Sequence, residues 1–139
     1  MEKEHRILVP LDGSDCGEDV LPKVEELASN LRAGICLLRV TAAHVFPGAD
    51  PTEAEIKVVR EAEEYLKSLE DRLKARGLDV DTHVRYGNEV DEILDHATQK
   101  EIDLIAMSRG HRGVKHFLLG CAAEKVLHHA PKPVFLVGC

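Results

Sequence analysis

Two stretches of this sequence carry residue types and spacings that could do chemistry. The first is Asp12-Gly13-Ser14, directly after the apolar run Ile7-Leu8-Val9-Pro10-Leu11. A carboxylate placed there can accept hydrogen bonds from a ligand's amine or hydroxyl, or Asp12 or Ser14 can simply cap the helix that follows. The second is Ser108-Arg109-Gly110-His111-Arg112-Gly113-Val114-Lys115-His116-Phe117-Leu118-Leu119-Gly120-Cys121. No acidic residue stands between Asp103 and Glu124, yet Arg109, Arg112 and Lys115 do. Uncompensated positive charge in a glycine-bearing loop ahead of a helix has the makings of an anion site. Gly120 stands immediately before a helical run, where free N–H groups collect.

Other chemistry is expected to be absent. No general base stands beside a plausible nucleophile, so no catalytic residue is assigned. The eight histidines are dispersed, and His128-His129 near a helix C-terminus fit the role of dipole partners, so no metal ligands are assigned either. Cys16, Cys36, Cys121 and Cys139 contain no CxxC pair, which points to neither a zinc site nor a disulfide framework. Cys36 reads as a small core residue.

Those residues need elements to hold them, and the apolar pattern supplies an alternating series. The strands expected are 7–11, 35–40, 80–86, 104–107 and 134–137. Between the first two, Val20, Val24, Leu27, Ala28 and Leu31 recur at helical spacing, with Gly34 as the break after them. A long helix from Thr52 to about Arg76 is expected to bury Ile56, Val59, Ala62, Leu66, Leu69 and Leu73, with Glu63/Lys67 and Glu70/Lys74 outside. Val80 to Tyr86 alternates like an edge strand. Gly87-Asn88 leads into a helix burying Val90, Ile93, Leu94 and Ala97, and the last helix covers roughly 118–129. Strands and helices in alternation imply parallel strands with right-handed crossovers. Such sheets bind ligands beyond the carboxyl ends of their strands, where both stretches lie.

Composition excludes several classes. The chain has 139 residues, 44% apolar and 31% charged, as in an ordinary globular domain. Lys plus Arg number 18 against 25 Asp plus Glu, so a net charge of −7 argues against general nucleic-acid binding. The apolar runs are far shorter than the roughly 20 residues a membrane span needs, and the charged start does not read as a signal peptide. A cytoplasmic location is expected.

The landmarks, taken together, resemble the universal stress protein family. Ile7 to Ser14, Leu37-Leu38-Arg39-Val40, Asp103-Leu104-Ile105-Ala106-Met107 and the run from Gly120 to Val134 occur in the family's order and span nearly the whole chain. The resemblance implies one domain, 1–139, of α/β class. Its fold would be a three-layer open parallel five-stranded sheet of order 3-2-1-4-5 with helices on both faces, of Rossmann-like adenine-nucleotide-binding type. ATP-binding members carry G-x2-G-x9-G-[ST] after the fourth strand. Here Gly110, nine residues and Gly120 keep the x9 spacing. Met107 or, with a one-residue deletion, Ser108 takes the place of the first glycine, and Cys121, a weaker donor than a hydroxyl, that of the final Ser/Thr.

The nucleotide-binding residues so implied are Pro10, Leu11, Asp12, Val40, Met107, Ser108, Arg109, Gly110, Gly120, Cys121 and Ala122. Pro10, Asp12 and Val40 would lie toward adenine and ribose. Gly110, Gly120, Cys121 and Ala122 would offer backbone N–H groups to the phosphates. The resemblance further implies ATP or AMP as a bound signal in a stress response, Mg2+ alongside ATP, and at most slow hydrolysis. It also implies a homodimer through Val134, Phe135, Leu136 and Val137; from charge and hydropathy, neither nucleic acid nor membrane is expected as a partner. The competing expectation is a dimeric interaction or scaffold module of the same fold that binds no nucleotide. An adenylating enzyme would need SGGxDS where Asp12-Gly13-Ser14-Asp15-Cys16-Gly17 stands, and a phosphoacceptor receiver an aspartate where Tyr86-Gly87 stands.

Overall fold

The computed structural model describes residues 5–42, 47–109 and 121–138. Five strands, β1 (Arg6–Pro10), β2 (Gly34–Thr41), β3 (Val80–Tyr86), β4 (Ile102–Ser108) and β5 (Val134–Val137), form one sheet of order β3-β2-β1-β4-β5. Every neighbouring pair is parallel, as strands joined through helices must be. The helices are α1 (Asp15–Glu18), α2 (Leu21–Leu31), α3 (Pro51–Lys74), α4 (Glu89–Ala97) and α5 (Cys121–His129).

Side chains of a strand alternate between faces, so each central strand feeds two cores. Ile7 and Val9 of β1 and Ile35 and Leu37 of β2 pack with Val24 and Ala28 of α2 and Leu66, Leu69 and Leu73 of α3. Leu8, Cys36 and Leu38 point the other way, onto Ile93 and Ala97 of α4 and Ala123 and Val126 of α5. This is the three-layer α/β arrangement and the strand order expected from the sequence. It also explains why β1 and β2 are apolar almost throughout: both faces are covered.

Four local expectations are corrected. The first helical stretch is two helices. Ser14 caps α1 by accepting from Gly17 N, the chain turns at Asp19 and Val20, and Pro22 sits in the first turn of α2, where its missing N–H does no harm. Leu31, the last residue of α2, is 60% exposed, since the chain leaves through a left-handed Arg32 and the helix ends before that side chain meets the sheet. Ile56 is 53% exposed because α3 buries its stripe only from Ala62 onward.

Gly34 is the first residue of β2 rather than a helix stop. It is small for a reason of packing: an added Cβ would lie 2.6 Å from Nη1 of Arg6. That guanidinium is buried, donates to Ile35 O at 3.2 Å and pairs with both carboxylate oxygens of Asp79 at 3.2 and 3.1 Å.

Candidate functional site

Parallel strands end together, and the chain runs to opposite sides of the sheet from β1 and β4. That reversal opens a crevice outside their carboxyl ends. A cavity of about 120 Å3 lies there, lined by Pro10, Leu11, Asp12, Gly17, Leu38, Val40, Glu89, Ile93, Met107, Ser108, Cys121, Ala122 and Ala123. Eight of the residues singled out from the sequence therefore meet around one space: Pro10, Leu11, Asp12, Val40, Met107, Ser108, Cys121 and Ala122. Gly110 and Gly120 lie outside the described residues, as do Arg112 and Lys115 of the basic loop. Arg109 is held elsewhere. Its backbone N donates to Val137 O at 2.9 Å, and its guanidinium runs beside Gly138 at the end of β5.

The floor is apolar and the rim polar. Val40, Met107 and Ser108 are buried, whereas Asp12 and Cys121 are exposed. Asp12 is fixed from one side: its Oδ1 accepts from Ser14 N at 2.9 Å and from Ser14 Oγ at 2.5 Å. Ser14 Oγ in turn accepts from Gly17 N at 3.0 Å, so one short turn holds the carboxylate and starts α1. The helix-capping and ligand-facing readings of this turn are thus compatible: Ser14 caps, and Asp12 is presented. Gly17 is required beside them, since a Cβ there would come within 2.6 Å of Asp12 Oδ1.

Sequence reasoning missed Gly17, Leu38, Glu89, Ile93 and Ala123 in this lining. Glu89 had a usable signal, for it opens α4 just past the carboxyl end of β3. Burial, and then the nearby Asp12 carboxylate, push its carboxyl above the ordinary range, while Arg39 pulls it back. The cysteine expectation also fails at one residue. Cys16 is disulfide-bonded, with its Sγ 3.8 Å from Ser108 Oγ, while Cys36 and Cys121 are free. Spacing along the chain does not report proximity in the fold.

Among the described residues, the edge strand β5 pairs only with β4, from Ile105↔Val134 to Ser108↔Val137. Val134 and Leu136 pack on the α4/α5 core and Val137 on the other, while Phe135 remains 36% exposed.

A parallel sheet of order 3-2-1-4-5 with helices on both faces and a crevice at its strand reversal defines the doubly wound α/β class. Within that class the chain belongs to the universal stress protein family, whose family model, described as "Universal stress protein family", matches residues 4–138. A universal stress protein of Methanothermobacter thermautotrophicus is 30% identical, over 99% of this chain and 97% of that one. Among solved structures, the universal stress protein UspA of Lactobacillus plantarum superposes with a TM-score of 0.80 at 25% identity, covering 99% of each chain. Two more distant structures share the fold. A universal stress protein in complex with cAMP has 22% identity and a TM-score of 0.65, covering 96% of this chain and 95% of that one. An Arabidopsis thaliana family member with AMP bound has 15% identity and a TM-score of 0.70, covering 96% and 90%.

Proposed function

We propose that this chain is an adenine-nucleotide-binding stress protein that uses the ligand as a signal rather than turning it over. The observation that carries the reading is the cavity at the β1/β4 reversal, where Pro10, Asp12, Val40 and Met107 converge. Apolar side chains there suit the faces of a base. The carboxylate of Asp12, anchored through Oδ1, offers its other oxygen to a hydroxyl or exocyclic amine. The phosphates would lie toward the start of α5, where Cys121 and Ala122 present the backbone N–H groups of a helix N-terminus. AMP and cAMP in the two distant relatives support the ligand class. On this reading Mg2+ arrives on the phosphates of ATP, hydrolysis is at most slow, and the protein works in the cytoplasm as one domain that pairs with a second copy.

At about 120 Å3 the cavity is smaller than the ~300–1,000 Å3 of sites that enclose a drug-sized ligand, so it takes a base or a ribose rather than a whole nucleotide. That small size favours the second reading, a scaffold module of the same fold. Calorimetry with AMP, cAMP, ADP and ATP, with and without magnesium, separates the two. Saturable binding of one or more of them, weakened by Asp12→Ala, is expected. Silence for all at millimolar ligand would leave the scaffold reading standing.

A further inference from the structure

On the α4 face of the sheet, outside the lining of the cavity, three ligand-type side chains converge. Cys36 of β2 is the register partner of Asp81 of β3. His83, two residues on, projects from the same face of that edge strand, and His96 reaches down from the last turn of α4. One ligand atom from each of Cys36, His83 and His96 lies within 4.8 Å of the others. Cys36 Sγ and His96 Nε2 are 3.5 Å apart. Two ligands at Zn–S and Zn–N distances on a tetrahedral ion stand about 3.5 Å from each other. The Cys36–His96 spacing is therefore already that of a coordinated pair.

From this cluster we infer a second site, unrelated to the nucleotide cavity, that binds a borderline-soft divalent cation such as Zn2+ through Cys36, His83 and His96.

Asp81 supplies what a thiolate–imidazole site normally has behind it. Its Oδ2 is 2.9 Å from His83 Nε2, the carboxylate–histidine contact that orients a ligating ring through its other nitrogen. Its Oδ1 is buried without a hydrogen bond, approached by Arg6 Nη1 at 3.2 Å only as an ion pair. A Cys36 thiolate would offset one of the two positive charges of a divalent ion, the Asp81 carboxylate being already paired with Arg6. His83 has the freedom to close the last distance, being 43% exposed on the outer strand.

Two arginines oppose the cation: Arg6, held on Asp81 at 3.2 Å, and Arg85. Arg85 Nε donates to His96 Nδ1 at 3.0 Å, and arginine can only donate, so the His96 proton sits on Nε2 and points at Cys36. Coordination at Nε2 moves that proton to Nδ1 and releases the Cys36 thiol proton to solvent. Arg85 must then leave the ring. It has a place to go, since its Nη1 already bonds Asp95 at 2.6 Å and Glu92 at 3.2 Å. Arg85 is thus a gate on the site, and a bound ion would staple the edge strand to β2 and α4.

The test is a Co2+ titration of the reduced, metal-free full chain, read by absorption, with Zn2+ as competitor. One equivalent of Co2+ should give a thiolate-to-cobalt charge-transfer band with tetrahedral d–d bands, bleached by Zn2+. The band should survive Cys121→Ser and vanish in Cys36→Ser. Because Cys36 is buried in the core, the deciding variant is His83→Gln, which removes a ligand at the half-exposed edge and should weaken Co2+ roughly tenfold or more. Arg85→Gln should tighten it. No charge-transfer band, a band lost with Cys121 instead, or unchanged affinity in His83→Gln overturns the site.

Discussion

Cys121 occupies the first position of α5 with its thiol free and exposed at the cavity rim. A thiol donates weakly where a hydroxyl would donate well. Cys121→Ser should therefore tighten ATP by about 1 kcal/mol, roughly fivefold in Kd by calorimetry, for one added hydrogen bond. Unchanged affinity would mean that the phosphates do not reach this residue. Across the cavity, Glu89 behaves oppositely to a salt-bridged carboxylate. Its raised pKa means that the folded chain holds this proton more tightly than the unfolded one, so ionised Glu89 costs stability. The cost is full above the folded pKa and absent below the ordinary value of 4.5. Glu89→Gln removes it, so the melting temperature of the variant relative to the parent should climb as pH rises from acid to neutral. The reverse slope would show that the positive end of α4, which Glu89 opens, outweighs burial.

At the scale of elements, the sequence was most legible where a strand is covered on both faces or a helix carries a continuous stripe. β3 and β5 have the limits expected, and α3 differs by a residue or two at its ends. It was least legible at junctions. Leu21-Pro22 signals a helix start, yet the apolar spacing from Val20 to Leu31 runs across it as if unbroken. Gly34 looked like a helix stop because nothing local reveals that a buried Arg6 occupies its side-chain space. Lys132 stands just before β5, where a charge could guard the start of the strand. Its ammonium instead turns back to the carbonyls of Gln99 and Ile102, leaving Pro133 for that task. The apolar strand edge is correspondingly less protected, which favours its pairing with a second copy. Light scattering at micromolar concentration should give the mass of two chains, and Phe135→Lys, at the partly exposed position, should return it to one. A single-chain mass for the parent protein would refute pairing through β5.

For the whole molecule, alternation of strands and helices was enough to place Asp12 and Ser108 at the same end of the sheet. It was not enough to find Glu89 or Ile93, which reach the cavity only because α4 folds beneath the ends of β1 and β2. The cluster of Cys36, His83 and His96 was invisible for the same reason, its members lying on three elements that sequence order keeps apart. The strand order itself has one more consequence, for the newborn chain. β1, β2 and β3 adjoin one another and leave the ribosome first, whereas β4 must come back to the exposed side of β1. The cavity straddles that late seam, with Pro10, Asp12 and Val40 on the early wing and Met107, Ser108 and Cys121 on the late one. A half-made chain lacks this cavity, so a ligand that bound there would stabilise only the finished molecule.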